Sequence, residues 1–169
     1  AIALVGEELD YSFIFSMTKW RGYGGTTQHW DYAKESFSLM SALAVVTSRV
    51  RLVTSIALPT LHPAVAARMA VTLDDISDGR LIVNIVAGWN KFEYSQMGLW
   101  PGDAYYGYRY DYATEYVEVL RRLWDEGRVT FNGRYFQLHD CVCLPKPARR
   151  IPLIGAGQSE KGMRAAPIS

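Results

Sequence analysis

The chain has 169 residues, of which 49% are hydrophobic and 21% are charged. This length and balance are typical of a single globular domain with a sizeable core. The formal net charge is +1, so overall charge gives no reason to expect binding to nucleic acid or to an anionic membrane. The sequence has no run of 18 apolar residues and therefore predicts no membrane-spanning helix.

The first half of the chain alternates between apolar strands and amphipathic helices. In chain order, the predicted elements are a helix at 1–9, a strand at 12–17, a Gly-rich polar loop at 18–31, a helix at 32–48, a strand at 50–58, a helix at 62–77 and a strand at 81–86. Pro63 suits the first turn of its helix, and Asp78-Gly79 is a typical helix end.

In the second half of the chain, the sequence predicts a longer connection between the strand at 81–86 and the next strand. Its predicted elements are a loop insertion at 90–108, a strong amphipathic helix at 110–125, a hairpin plus connector at 127–150, a strand at 151–155 and a helix that starts at Ser159 or Glu160. Asn132-Gly133 predicts a type I′ turn in the hairpin, because both residues tolerate positive φ.

Strands that are apolar on both faces and alternate with helices predict a parallel sheet with right-handed crossovers. Both a doubly wound sheet and a (β/α)8 barrel fit this pattern. The lack of a G-x-G-x-x-G motif after the first strand weakens the doubly wound dinucleotide fold. A full barrel needs roughly 250 residues, so the barrel interpretation requires that 1–169 be a partial barrel domain.

The segment Arg80–Tyr94 carries the most chemical information. Asn84 interrupts an otherwise apolar strand, and Trp89 and Glu93 follow just past its end. In parallel barrels the chemistry lies at the carboxyl ends of the strands, so this pattern predicts a working site. The alternative is an amide that is satisfied in the core and an acid that merely lies in a loop.

Other strand ends contribute further candidates. Thr18 and Lys19 follow the first strand, and Ser55 lies in the second.

The turn 155–159 precedes a predicted helix, where backbone N–H groups and the Ser159 hydroxyl suit a phosphate, and Arg109 adds a forked cationic donor. An ordinary turn and a surface cation beside Asp111 are the alternatives. No protein nucleophile motif is present, as expected when a cofactor carries the reaction.

The cysteines and histidines predict no metal site. Cys141 and Cys143 are spaced too closely for an ordinary structural disulfide, and no second cysteine pair completes a zinc site. His29, His62 and His139 are scattered. Unpaired cysteines and the lack of a signal peptide give a cytoplasmic location as the expectation.

Several strings together resemble one known family. The strings VNIVAGWNKFEYSQMGLWPGD, RYDY, FSMTKWRGYGG and GAGQS are similar to those of the bacterial-luciferase-like flavin monooxygenases. The helix string ARMAVTLDDISDGR marks the superfamily. The run from Gly88 to Asp103 is narrower and is most similar to the pyrimidine oxygenases of the Rut uracil-degradation pathway.

The resemblance implies a (β/α)8 TIM barrel, here represented by roughly its first half, from the second to the fifth strand. It also implies reduced FMN, supplied by an NADH-dependent flavin reductase, as the cofactor, and O2 as a co-substrate. The flavin contacts that it implies are Thr18, Lys19, Asn84, Glu93, Arg109, Tyr110 and Ser159. Asn84 and Trp89 would shape the space where oxygen and a pyrimidine meet the flavin, and Ser55 stands where relatives carry a threonine that helps to position oxygen.

The implied reaction is the oxygenation and ring-opening of a uracil-like amide. One alternative is oxygenation of an alkanesulfonate, a sulfone or a halogenated aromatic, although Lys19 and Arg68 supply few cations for a sulfonate. A second alternative is a non-catalytic flavin-binding relative. A homo-oligomer is expected, because half a barrel leaves an open sheet edge that pairs readily.

Overall fold

The computed structural model describes residues 2–155 and contains a four-stranded parallel sheet and a separate hairpin. The helices are α1 (Ile2–Glu8), α2 (Ser36–Val46), α3 (Pro63–Ile76), α4 (Lys91–Ser95) and α5 (Tyr105–Glu126), with a short 3-10 turn at Leu58–Thr60. The strands are β1 (Phe13–Phe15), β2 (Arg51–Ala57), β3 (Leu81–Val86), β4 (Arg128–Asn132), β5 (Gln137–Val142) and β6 (Leu153–Gly155).

The order of the strands distinguishes between the two predicted architectures. The sheet runs β1-β2-β3-β6 with all neighbours parallel, so each new strand is added on the same side of the previous one. A doubly wound sheet reverses direction at a switch point, whereas a barrel does not. The observed order is therefore that of a barrel segment, and the predicted barrel class is confirmed.

The two faces of the sheet have different surroundings. Leu52, Val83 and Leu81 point toward α2, α3 and α5 and are almost fully buried in the main apolar core. On the opposite face, Phe13 and Phe15 are 56% and 48% exposed. Because side chains alternate along a strand, the in-register pair Ser55 and Asn84 lies on this second face, away from the helices.

Helix α5 begins earlier than the sequence predicts, at Tyr105, and ends at Glu126. It is capped by Gly127, which adopts a left-handed conformation with φ of 76°. The segment 90–108, predicted as a loop insertion, contains α4 and the first turn of α5. Aromatic packing stabilises this region: the ring centroid of Trp100 lies 6.2 Å from that of Tyr94 and 5.6 Å from that of Tyr105. None of the described helices combines the length and apolar character that a membrane crossing needs.

The predicted start of the second helix at Tyr32 is wrong. Helix α2 begins at Ser36, because the carboxylate of Glu35 accepts hydrogen bonds from the backbone N–H groups of Phe37 and Ser38 at 2.9 and 2.7 Å. Glutamate is not among the residues usually favoured at this capping position, so sequence preference alone does not mark it.

The predicted type I′ turn at Asn132-Gly133 is also wrong. Asn132 pairs with Gln137, which leaves a four-residue loop, and neither Asn132 nor Gly133 has a positive φ. The carboxylate of Glu115 on α5 accepts hydrogen bonds from three successive loop N–H groups, those of Arg134, Tyr135 and Phe136. This contact from a distant helix stabilises a longer loop than the local sequence predicts.

Glu7 makes the folded state sensitive to acid. Its buried carboxylate accepts backbone hydrogen bonds from Arg49, Val50 and Ser48, and these bonds lower its pKa from 4.5 to about 2. Because the folded-state pKa lies below the ordinary value, the stabilising contribution of Glu7 is complete above about pH 4.5 and is lost as the pH falls toward 2.

We expect Glu7→Gln to reduce the pH dependence of the free energy of unfolding, measured by urea unfolding between pH 6 and pH 2.5. The exposed Glu8→Gln is the matched control, and an equal flattening by both variants would contradict the assignment.

Candidate active site

A buried amide and a buried hydroxyl meet at the carboxyl end of the sheet. Nδ2 of Asn84 on β3 donates to Oγ of Ser55 on β2 at 3.1 Å, and the two residues are 5% and 3% exposed. The Ser55 hydroxyl in turn donates to the carbonyl oxygen of Ser16 at 2.8 Å. These bonds fix the amide of Asn84, and within residues 2–155 its Oδ1 has no hydrogen-bond partner, so that oxygen remains an acceptor for a ligand.

Lys19 and Glu93 form a buried ion pair at the same edge. Nζ of Lys19 lies 2.9 Å from Oε2 of Glu93, and their side chains are only 10% and 5% exposed. The other carboxylate oxygen of Glu93 accepts the backbone N–H of Trp20 at 2.7 Å, and Gln96 donates to the carbonyl of Trp20 at 2.8 Å. Helix α4 therefore holds the loop that follows β1 and fixes the position of Lys19.

Two aromatic rings lie beside this ion pair. Nζ of Lys19 is 4.6 Å from the ring centroid of Tyr23 and 5.7 Å from that of Trp89. The Tyr23 and Trp89 rings stack, with centroids 6.0 Å apart and an interplanar angle of 23°. Trp89 is 56% exposed. The result is a flat aromatic surface next to a cation whose charge is already balanced.

The first turns of α5 are tied to the loop that follows β3. The Tyr105 hydroxyl donates to the carbonyl of Ala87, and the Tyr106 hydroxyl donates to the carbonyl of Trp89 at 3.0 Å. One turn further, the guanidinium of Arg109 lies over the Tyr110 ring at 4.9 Å and donates to its hydroxyl at 3.2 Å. Nε of Arg109 is buried without a partner in the described part of the chain, so it is a spare donor for an anion.

Two buried tyrosines, Tyr94 and Tyr105, pack against Trp100 near the loop that follows β3. Burial raises the pKa of Tyr94 and of Tyr105 well above the ordinary value of 10. Both phenols therefore stay protonated, and uncharged, even in alkaline solution where an exposed tyrosine would ionise.

The structure groups most of the sequence-predicted residues. Asn84 and Ser55 are in contact, Lys19 contacts Glu93 and lies near Trp89, and half-buried Thr18 directly precedes Lys19. Arg109 and Tyr110 contact each other, and Tyr106 links their helix to the Trp89 loop. Ser159 lies outside the described residues. Sequence reasoning did not select Ser16, Ser36, Tyr23 or Gln96 as site residues. Ser16 directly follows β1, so its position at a strand end could have marked it, whereas the other three reach the site only through tertiary contacts.

Comparison with known proteins gives a consistent result. The family described as luciferase-like monooxygenase matches residues 1–167. The pyrimidine monooxygenase RutA of Bradyrhizobium sp. (strain BTAi1 / ATCC BAA-1182) is 55% identical over 95% of this chain and 44% of its own length. RutA of Cronobacter sakazakii is 54% identical over 96% of this chain and 48% of its own length. The chain thus spans about half the length of the curated relatives it matches.

Solved structures agree on the fold. The EDTA monooxygenase EmoA from Chelativorans sp. BNC1 superposes with a TM-score of 0.84 over 97% of this chain and 43% of that structure. The sequence identity to EmoA is 19%, so this likeness concerns the fold and not the substrate.

Proposed function

The chain belongs to the luciferase-like monooxygenase family, and from that premise we propose that its site serves an FMN-dependent monooxygenase that oxygenates and ring-opens a pyrimidine amide such as uracil. One observation carries the choice of substrate class. The side chains that β2 and β3 place at the site are a neutral hydroxyl and a neutral amide, while the neighbouring cation, Lys19, is neutralised by Glu93. A neutral ring with amide donors and acceptors matches such groups, because unpaired buried polar atoms are costly.

The residues present suit the phosphate and ring of a flavin. The orphan Nε of Arg109 supports a role in holding the phosphate, together with Tyr110 and Ser159. Thr18, Lys19, Asn84 and Glu93 would line the ring. Reduced FMN bound there would supply the electrons that activate O2, and an NADH-dependent flavin reductase is the proposed partner that delivers it.

The chain's own residues would orient the reactants and exclude water. Oδ1 of Asn84 would accept an N–H of the pyrimidine or of the cofactor, since its Nδ2 is already engaged with Ser55. Ser55 would contribute to the small polar space that oxygen enters, and Trp89 would cover the open side of the site. Fixed groups of this kind lower a barrier because they need no reorganisation during the reaction.

The cations argue against a sulfonate substrate. Lys19 is paired with Glu93, and Arg68 is engaged elsewhere, because its guanidinium donates to the carbonyls of Leu144 and Val142 at 3.0 and 2.6 Å. The charge of Lys19 is therefore balanced, and the donors of Arg68 are held by carbonyls at the end of the hairpin and just past it, so neither side chain is available to an anionic substrate. Sulfones and halogenated aromatics are tested by the same experiment as uracil.

An anaerobic titration with reduced FMN, followed by addition of 18O2 and uracil, tests the proposal. We expect saturable binding and a ring-opened product that carries oxygen from 18O2, with two labelled atoms in a peracid product and one in the acid that forms when the peracid is reduced. Oxidised FMN without reductant is the control and yields no product. Binding with oxygenation of a sulfonate, a sulfone or a chlorinated ring in place of uracil would refute the substrate class. Failure to bind reduced FMN, or binding with no oxygenation of any of these compounds, would refute the monooxygenase activity.

A further inference from the structure

The hydrogen-bond ladder between β1 and β2 is interrupted next to the site. The backbone N–H of Arg51 donates to the carbonyl of Ser12 at 3.2 Å, as a parallel ladder requires. The same spacing, four residues further on, would pair the N–H of Ser55 with the carbonyl of Ser16. That direct bond is replaced, because the N–H of Ser55 donates to the side chain of Ser36 at 2.9 Å.

The hydroxyl of Ser36 is inserted between the two strands as a relay. It accepts from the N–H of Ser55 and donates to the carbonyl of Ser16 at 2.9 Å. It also accepts from the hydroxyl of Thr54 at 3.0 Å, so its one donor and two acceptor positions are all used. Ser36 is the first residue of α2 and is completely buried, which fixes the relay rigidly.

The Ser16 carbonyl oxygen has two lone pairs. The Ser36 hydroxyl uses one at 2.9 Å, and the side-chain hydroxyl of Ser55 uses the other at 2.8 Å. Because the hydrogen of that hydroxyl points to Ser16, its oxygen is presented to Nδ2 of Asn84. An unbroken ladder bond would use the same lone pair as Ser36 does, but it would bring the two strands closer together and change the angle from which the Ser55 hydroxyl reaches the Ser16 carbonyl.

We propose that Ser36 is a positioning residue, whose inserted hydroxyl sets the orientation of the Ser55 hydroxyl and, through it, of the Asn84 amide. This inference rests on the proposed function for its catalytic consequence but not for its structural one. Ser36 belongs to α2, which packs on the opposite face of the sheet from the side chains of Ser55 and Asn84, so it acts only through those two residues.

The kinetic test compares Ser36→Ala with a matched control in the purified protein supplied with reduced FMN, O2 and uracil. We expect Ser36→Ala to lower kcat by about tenfold to a hundredfold, because small misplacements of reacting groups have effects of this size. The KM for uracil should change by less than about threefold, and hydrogen peroxide released per uracil consumed should rise. Thr54→Val removes a bond to the same hydroxyl but leaves the relay intact, so its kcat should stay within about twofold of the unaltered protein. Equal losses in both variants would overturn the proposal.

A double-substitution cycle separates positioning from general stability. If Ser36 acts through Ser55, then Ser36→Ala added to Ser55→Ala should cause no further fall in kcat. Additive losses would overturn the proposal, since they would show that the two residues act independently.

A structural readout remains informative if uracil is not the substrate. Side-chain amide NMR signals of Asn84 should shift in Ser36→Ala and remain in place in Thr54→Val. Unchanged Asn84 signals in Ser36→Ala would refute the positioning role whatever the substrate. Shifted signals without any uracil turnover by the unaltered protein would refute the proposed function and leave the positioning role supported.

Discussion

Replacement of Glu93 by alanine is expected to lower the free energy of unfolding by about 3–5 kcal/mol, because it leaves the charge of Lys19 buried without a partner. The two side chains are 10% and 5% exposed and their charged atoms lie 2.9 Å apart. The same change removes the acceptor for the Trp20 N–H, so the loop after β1 loses its anchor. We therefore also expect much weaker binding of reduced FMN, measured by anaerobic titration beside urea unfolding.

Two further variants make this result specific. Lys91→Ala breaks the ion pair between Lys91 and Asp103, whose side chains are 46% and 69% exposed, and should cost less than about 1 kcal/mol. Lys19→Met combined with Glu93→Gln removes both charges and keeps an acceptor for the Trp20 N–H. The double variant should regain most of the lost stability but not the FMN affinity. Equal stability losses in Lys91→Ala and Glu93→Ala would contradict the interpretation.

Replacement of Asn84 by alanine is expected to lower kcat by about 10²–10³, the size of effect seen when one fixed hydrogen-bonding group is lost from a reacting centre. Asn84 is the only amide side chain in β3, and its Nδ2 is held by Ser55, so the direction of its Oδ1 is fixed. Oxygen consumption and product mass under saturating reduced FMN and uracil provide the measurement. Stability should change much less than activity.

Ile82→Ala is the matched control for this prediction. Ile82 lies two residues earlier on the same face of the same strand and is half-buried. Its truncation removes apolar contacts without removing a hydrogen bond, so we expect a stability loss of about 1–2 kcal/mol and a kcat within about twofold. If Ile82→Ala lowers kcat as much as Asn84→Ala, the amide has no special role.

Strong local signals predicted the elements that surround the site. The strand over 81–86 was predicted at the bounds that β3 has, and the helix over 62–77 differs from α3 by one residue at each end. Both elements are bounded by residues with strong local preferences: Pro63 in a first turn, and Gly79 at a helix end with a positive φ of 75°. Such preferences act within a few residues and can be read directly.

Contacts from distant residues overrode local preference in the elements that were predicted wrongly. Glu115 on α5 binds the hairpin loop and replaces the expected tight turn. The first turn of α5 is held by aromatic contacts with Trp100, in a segment whose own sequence resembles a loop. In both cases the stabilising partner lies outside the window that a local pattern covers.

The sequence by itself determined the alternation of strands and helices, the candidate residues at strand ends and, through the resemblance, the family. Only the tertiary structure decided which of these side chains meet. Lys19 and Glu93 are 74 residues apart and Ser55 and Asn84 are 29 apart, so their contacts depend on strand order and register. The relay through Ser36 depends in addition on how α2 packs against β2. Strand order, register and packing arise from interactions across the whole fold, whereas propensity and periodicity are properties of neighbours along the chain.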